Sequence, residues 1–179
     1  MGANIIFIGF GEAGQAFASA EGWRGEARAY DRLTDDPITR DAKQDEYRRA
    51  GVEGSEDLAE ALAGCPLVLS LVTADQAAVV ARVAAPLLAE GALFCDLNSV
   101  APETKRQAAA AIAGGGGHYV DGAILSPVHP ARLAAPLLLS GPQAPAAERA
   151  LRAIGTLRLG SAAEGLAAKI QQIRERDAQ

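Results

Sequence analysis

Short apolar runs alternate along the chain with longer, mixed stretches, and the two kinds of segment have different periods. Ile5–Ile8, Ala27–Tyr30, Leu67–Val72, Ala92–Cys95, Tyr119–Asp121, Pro136–Ser140 and Thr156–Leu159 have the length and composition of strands. Most are unbroken apolar runs rather than apolar–polar alternations, which is the pattern of strands covered on both faces. Helical patterns lie between them. Glu12–Glu21 is rich in small residues, and Asp41–Ala50 follows the second strand. Ser55 is placed to cap a helix running through Leu62, and Asp75 one running to Leu88 with an interruption at Pro86. Pro102–Ala113 and Pro145–Ile154 are further helices, Gly114–Gly117 is a break, and Ser161 opens a last helix. Strands and helices in this order predict an α/β fold of βαβ units with a mostly parallel, doubly wound sheet and a C-terminal helix.

Composition narrows the function classes. About half the residues are apolar (49%), enough for one sizeable core, so residues 1–160 are expected to form one domain. The net charge is -5 with no basic run, which argues against nucleic acid as a partner. No segment approaches the roughly 20 apolar residues of a membrane span. The Ile5–Ile8 run is too short for a signal peptide and has no basic segment before it. The expectation is a soluble, cytoplasmic protein. Cys65 and Cys95 lack C-x-x-C spacing, sit beside apolar runs and read as buried thiols of a reducing compartment. His118 and His129 have no acids or thiols at ligand spacing, so no metal is expected, and Ser126 lacks the glycines of a nucleophile elbow. The acids Asp31, Asp35, Asp36 and Asp41 read as a solvated loop and helix start.

The chemistry concentrates at "FIGFGEAGQAFA". Gly9, Gly11 and Gly14 form G-x-G-x-x-G after an apolar strand and at the opening of a helix, with Phe10, Glu12 and Ala13 between them. Gly9 permits the tight turn, Gly11 lets a diphosphate approach the backbone, and Gly14 lets the helix pack on the strand. The free amides and positive end of the helix suit the phosphates. A second strand ends at Asp31, an acceptor for the adenosine ribose hydroxyls. The sheet is therefore Rossmann-like and the cofactor NAD or NADP. Asp31 would repel a 2′-phosphate, which favours NAD, although the adjacent Arg32 is able to hold one.

Four segments, "FIGFGEAGQAFA", "LVTADQA", "DLNSVAPETK" and a late Lys169, resemble the β-hydroxyacid dehydrogenases. That family includes 3-hydroxyisobutyrate dehydrogenase and the NAD-binding domain of 6-phosphogluconate dehydrogenase. "SPVHPAR" and "PLLLSGP" are similar to a bacterial, phosphogluconate-dehydrogenase-like branch. The resemblance implies that residues 9–14 hold the diphosphate and that Leu71, Val72 and Thr73 lie along the nicotinamide-side ribose. It implies a substrate segment at Asp96–Pro102, where Asn98 replaces the family's serine beside Ser99. His129, in a proline-flanked loop, is a further candidate substrate contact. Lys169 would be the catalytic lysine, exchanging a proton with the substrate hydroxyl with Asn98 beside it. The motif D-A-P-V-S-G-G of the family is kept only at Asp121, and the asparagine one turn beyond the lysine is replaced by Gln172 or Ile173.

Family members continue past the lysine into a helical domain. The resemblance therefore implies that residues 161–179 begin an inter-domain helix and that the C-terminal helical domain is absent. Ala163, Leu166, Ile170 and Ile173 form an apolar stripe, expected to fold back on the sheet or to pair two copies as a homodimer. Two functional readings stand at this point. One is an NAD(P)-dependent oxidoreductase, or its cofactor-binding part, moving hydride between the nicotinamide and a small hydroxy acid. The other is a dinucleotide-binding module without turnover.

Overall fold

Alternation explains why the first predicted strand is apolar throughout. Ile5 and Phe7 enter one core and Ile6 and Ile8 another, so both faces of the strand are covered. The computed structural model describes residues 4–155 and 159–161. In chain order its elements are β1 (Ile5–Ile8), α1 (Glu12–Ala18), β2 (Ala27–Tyr30), α2 (Pro37–Ala50), β3 (Glu53–Ser55), α3 (Leu58–Leu62), β4 (Leu67–Ser70), α4 (Ala77–Ala84), β5 (Leu93–Asp96), α5 (Pro102–Gly114), β6 (His118–Ile124), β7 (Leu137–Ser140), α6 (Ala144–Ile154) and β8 (Leu159–Ser161).

The strands form one sheet in the order β3-β2-β1-β4-β5-β6-β7-β8. Every neighbouring pair is parallel except β6 and β7. β1 lies between β2 and β4, with Phe7 opposite both Ala29 and Leu69. The chain thus reverses its direction of travel across the sheet between β1 and β4, which opens a crevice beyond the carboxyl ends of these strands. On one face α1, α2 and α6 bury Phe17, Tyr47 and Leu151 against the sheet. Phe10 packs edge-on to Phe7 at 5.6 Å and lies 5.2 Å from the Tyr47 ring. On the other face α3, α4 and α5 contribute Leu62, Ala81 and Ile112 around Phe94. Because β7 runs against β6, their connection (125–136) begins and ends at the carboxyl edge.

The doubly wound, mostly parallel reading holds, with local differences. Ser55 ends the unforeseen edge strand β3, and its hydroxyl donates to the Asp57 carbonyl at 2.8 Å. The cap of α3 is Asp57, whose carboxylate accepts from the Glu60 N–H at 2.8 Å. Asp75 does not cap α4, whose cap position is Gln76 and carries no side-chain hydrogen bond. Pro86 ends that helix in a 3₁₀ turn, as its missing N–H requires. α2 begins earlier than expected, because Asp36 caps it and Pro37 occupies its first turn. α1 stops at Ala18, three residues short of Glu21. Ser161 lies in β8 rather than opening a helix. The predicted helix beyond it, the apolar stripe and Lys169 fall outside the described residues, as do Thr156–Arg158 of the last predicted strand.

Candidate functional site

β1 turns sharply at its end because Gly9 holds φ at +83°, a region that side-chain-bearing residues avoid. Space forbids a side chain there as well. A Cβ would lie 2.5 Å from the Leu71 carbonyl oxygen and 2.9 Å from Val72 Cγ1. At Gly14 a Cβ would come within 3.0 Å of the Phe10 ring, so glycine lets α1 sit close to the strand end. Gly11 differs in kind, because a Cβ there would meet nothing within 4 Å. Its bare Cα faces open space, and no side chain caps α1 at this residue. First-turn amides of the helix are therefore left for a ligand.

That open space continues into a cleft of about 460 Å³ at the crevice between β1, β2 and β4. Ile8, Gly9 and Gly11 form its floor, and Tyr30, Asp31, Arg32 and Leu33 its β2 side. Leu71, Val72 and Thr73 close it from β4, while Val79, Val80 and Val83 of α4 form an apolar wall. Leu33, Val79 and Val83 are exposed although large and apolar. Burial and the Asp35 carboxylate, which accepts from the Tyr30 hydroxyl at 2.9 Å, push that phenol up to about 12.

Asp31 is built into the glycine turn. Its Oδ2 accepts from the Phe10 N–H at 2.8 Å, and its Oδ1 accepts from the Leu33 N–H at 3.0 Å. Lys43 Nζ lies 4.0 Å from the same Oδ2. Arg32, by contrast, is exposed on the cleft rim.

A second polar assembly is buried at the ends of β4, β5 and β6. The Asn98 amide donates to Ser70 Oγ at 3.0 Å and to Asp96 Oδ1 at 2.8 Å, and its oxygen accepts from the Val72 N–H at 2.7 Å. Lys105 Nζ donates to the Asp96 carbonyl at 2.7 Å and stands 3.0 Å from Asp121 Oδ1. The Tyr119 hydroxyl donates to Asp96 Oδ2 at 2.8 Å. Burial raises the Asp121 carboxyl above the ordinary value of 3.8, with Lys105 opposing it, and burial beside Asp96 raises Tyr119. Among the described residues no group of three or more His, Cys, Asp or Glu is placed to hold a metal ion. None of the described helices is long and apolar enough to cross a membrane.

Residues 4–160 match the family model described as the NAD binding domain of 6-phosphogluconate dehydrogenase. The chain belongs to this family. A conserved hypothetical protein of Sinorhizobium meliloti is 38% identical with a TM-score of 0.86, over 95% of this chain and 57% of that one. The conserved protein MTH1747, whose structure is described as similar to 3-hydroxyacid dehydrogenases, is 27% identical at a TM-score of 0.76, over 95% of this chain and 62% of its own. The 3-hydroxyisobutyrate dehydrogenase of Mycobacterium tuberculosis shares the fold at a TM-score of 0.77 and 16% identity, over 98% of this chain and 59% of its own. The chain thus spans less than two thirds of each of these structures. No curated protein matches the sequence.

Within this NAD-binding domain the predicted residues separate into two sets. Gly9, Gly11, Asp31, Arg32, Leu71, Val72 and Thr73 all line the cleft. Phe10 and Gly14 are buried beneath it, and Glu12 and Ala13 open α1. Asn98 is also buried, with both amide hydrogens engaged inside the protein, so its side chain holds the Val72 strand end rather than facing outward. Ser99 and His129 are exposed, Ser99 just beyond β5 and His129 on the β6–β7 connection. Residues the sequence reading passed over are Val79 and Val83 on the cleft wall and the buried Lys43 and Lys105. The valines stand four apart on one helix, a spacing that equally describes a core stripe. Nothing local distinguishes the two lysines from solvated ones.

Proposed function

We propose that the chain is the cofactor-binding part of an NAD(P)-dependent oxidoreductase of the β-hydroxyacid dehydrogenase type, acting on a small hydroxy acid. The observation that carries this is the clear space at Gly11, where the bare main chain opens directly into an apolar cleft. A diphosphate fits against this backbone, and an adenine ring against Val79 and Val83. The nicotinamide, when bound, takes up or gives the hydride. Leu71, Val72 and Thr73 would position its ribose, with Ser99 and His129 at the substrate side. Lys169 is the residue that the family resemblance assigns to proton exchange with the substrate hydroxyl.

The balance between the two cofactors turns on Asp31 and Arg32. The Asp31 carboxylate faces inward, onto two main-chain amides and beside Lys43. Its repulsion of a 2′-phosphate is thereby weakened, while Arg32 is exposed on the rim. This supports NADP more strongly than the sign of Asp31 alone suggests. A parallel titration with NADPH and NADH tests the point. Arg32→Ser is expected to weaken NADPH about tenfold and to leave NADH nearly unchanged, as loss of a charge-assisted phosphate contact would.

The decisive experiment is binding, then turnover. Wild-type protein should bind a reduced nicotinamide cofactor and Gly11→Asp should not; equal behaviour of the two would overturn the reading. A hydroxy-acid panel followed by cofactor absorbance then reports turnover, which Lys169→Ala should lower by about a hundred- to ten-thousandfold. The internal engagement of Asn98 favours the second reading, a binding module without turnover, and cofactor binding with no turnover on the panel would select it. Pairing through the 163–173 stripe is proposed as well, and sedimentation showing monomer at every concentration would remove it.

A further inference from the structure

The glycine turn has more conformational freedom than a rigid site tolerates, with three glycines in six residues. Three polar side chains remove that freedom at Phe10. Its N–H donates to Asp31 Oδ2 at 2.8 Å. Its carbonyl accepts from Lys43 Nζ at 3.1 Å and from Gln15 Nε2 at 3.3 Å. The first bond fixes the Gly9–Phe10 peptide plane and the second the Phe10–Gly11 plane. Glu46 holds the lysine from behind, with Oε2 2.5 Å from Nζ, and also accepts from Gln15 at 2.9 Å. Lys43 is 5% exposed, so its charge is nearly desolvated and acts on its neighbours with little screening.

Resting on the dinucleotide reading above, we propose that Lys43 is a positioning residue for the diphosphate-binding turn. It acts in two ways. With Asp31 it presets both peptide planes between Gly9 and Gly11, so a ligand need not order them on arrival. It also offsets the Asp31 and Glu46 carboxylates, which otherwise stand as uncompensated negative charge beneath an anion site. Both effects centre on the diphosphate turn, whereas at the adenosine end Asp31 is held by the Phe10 and Leu33 amides and Lys43 stands 4.0 Å from it.

The test exploits that difference. NADPH and NADH carry the diphosphate; adenosine carries none. Binding of each is measured by titration to wild-type protein and to Lys43→Met. The variant should bind the reduced cofactors about tenfold or more weakly, the loss typical of a charge-assisted hydrogen bond, and adenosine within about twofold of wild type. Equal cofactor affinity in both proteins would overturn the proposal. So would a parallel loss of adenosine, which is the signature of a merely structural role. If Lys43→Met does not fold, Lys43→Gln decides the matter. It keeps a donor for the Phe10 carbonyl and loses the charge, and should weaken cofactor alone by about threefold; wild-type affinities in this variant would overturn the proposal. Wild-type protein that binds neither cofactor removes the functional reading itself, an outcome distinct from a silent Lys43.

Discussion

Two buried lysines sit below the carboxyl edge of the sheet, and their surroundings differ. Lys43 reaches a carbonyl of the glycine turn, whose other side opens into the cleft. Lys105 bridges Asp96 and Asp121 in a closed assembly with Asn98, Ser70 and Tyr119. On the β1–β2 side, polar side chains hold the backbone from behind and leave its front to a ligand. On the β4–β5–β6 side, they pair with one another and leave no amide hydrogen of Asn98 to a ligand. The lesson is that a buried polar cluster at a sheet edge marks a site only if some of its hydrogen-bonding capacity points outward.

Breaking the closed assembly should have the largest effect on stability. Lys105→Met leaves Asp96 and Asp121 without their cation and is expected to cost about 3–5 kcal/mol, measured as a lower urea midpoint. Asn98→Ala strands the Val72 N–H and Ser70, and should cost about 1–3 kcal/mol in the same assay. Asp121 offers a finer probe. Burial raises its folded-state pKa above 3.8, so in that window the folded protein holds more protons than the unfolded chain. Stability should therefore fall as pH rises from the ordinary carboxylate value through the folded one, and Asp121→Asn should flatten this slope. The smallest change in stability is expected at the open side. Gly11→Asp fits an uncrowded cap position and should shift stability by no more than about 0.5 kcal/mol, yet abolish cofactor binding by placing a carboxylate where the diphosphate belongs. A large destabilisation by Gly11→Asp, or none by Lys105→Met, would erase the contrast between the two regions.

The same contrast governs what was legible in the sequence. The β1 turn was readable because each of its glycines answers a local demand: φ of +83° at Gly9, open space at Gly11, a close ring at Gly14. Most strands were readable as apolar runs, since burial on both faces removes the need for alternation. β3 was missed because it is a short polar edge strand, Glu53–Ser55, with no apolar run to mark it. Asp57 was passed over as a cap in favour of Ser55, although the acid three residues later at Glu60 favours it. The inward turn of Asp31 was not readable, because it depends on Phe10 and Lys43, partners 21 and 12 positions away along the chain. The burial of Asn98 likewise depends on Ser70 and Val72, which only the parallel register of β4 and β5 brings beside it.

The reversed β7 has a consequence for how such a protein diversifies. Parallel neighbours must be joined by a crossover, so altering their connection disturbs a packed helix. The β6–β7 connection carries only a 3₁₀ turn, Arg132–Ala134, which buries Leu133 in the core beneath α1. The exposed residues ahead of that turn, Pro127, His129 and Pro130, can be exchanged without opening the core, which makes this corner a natural place for related chains to differ.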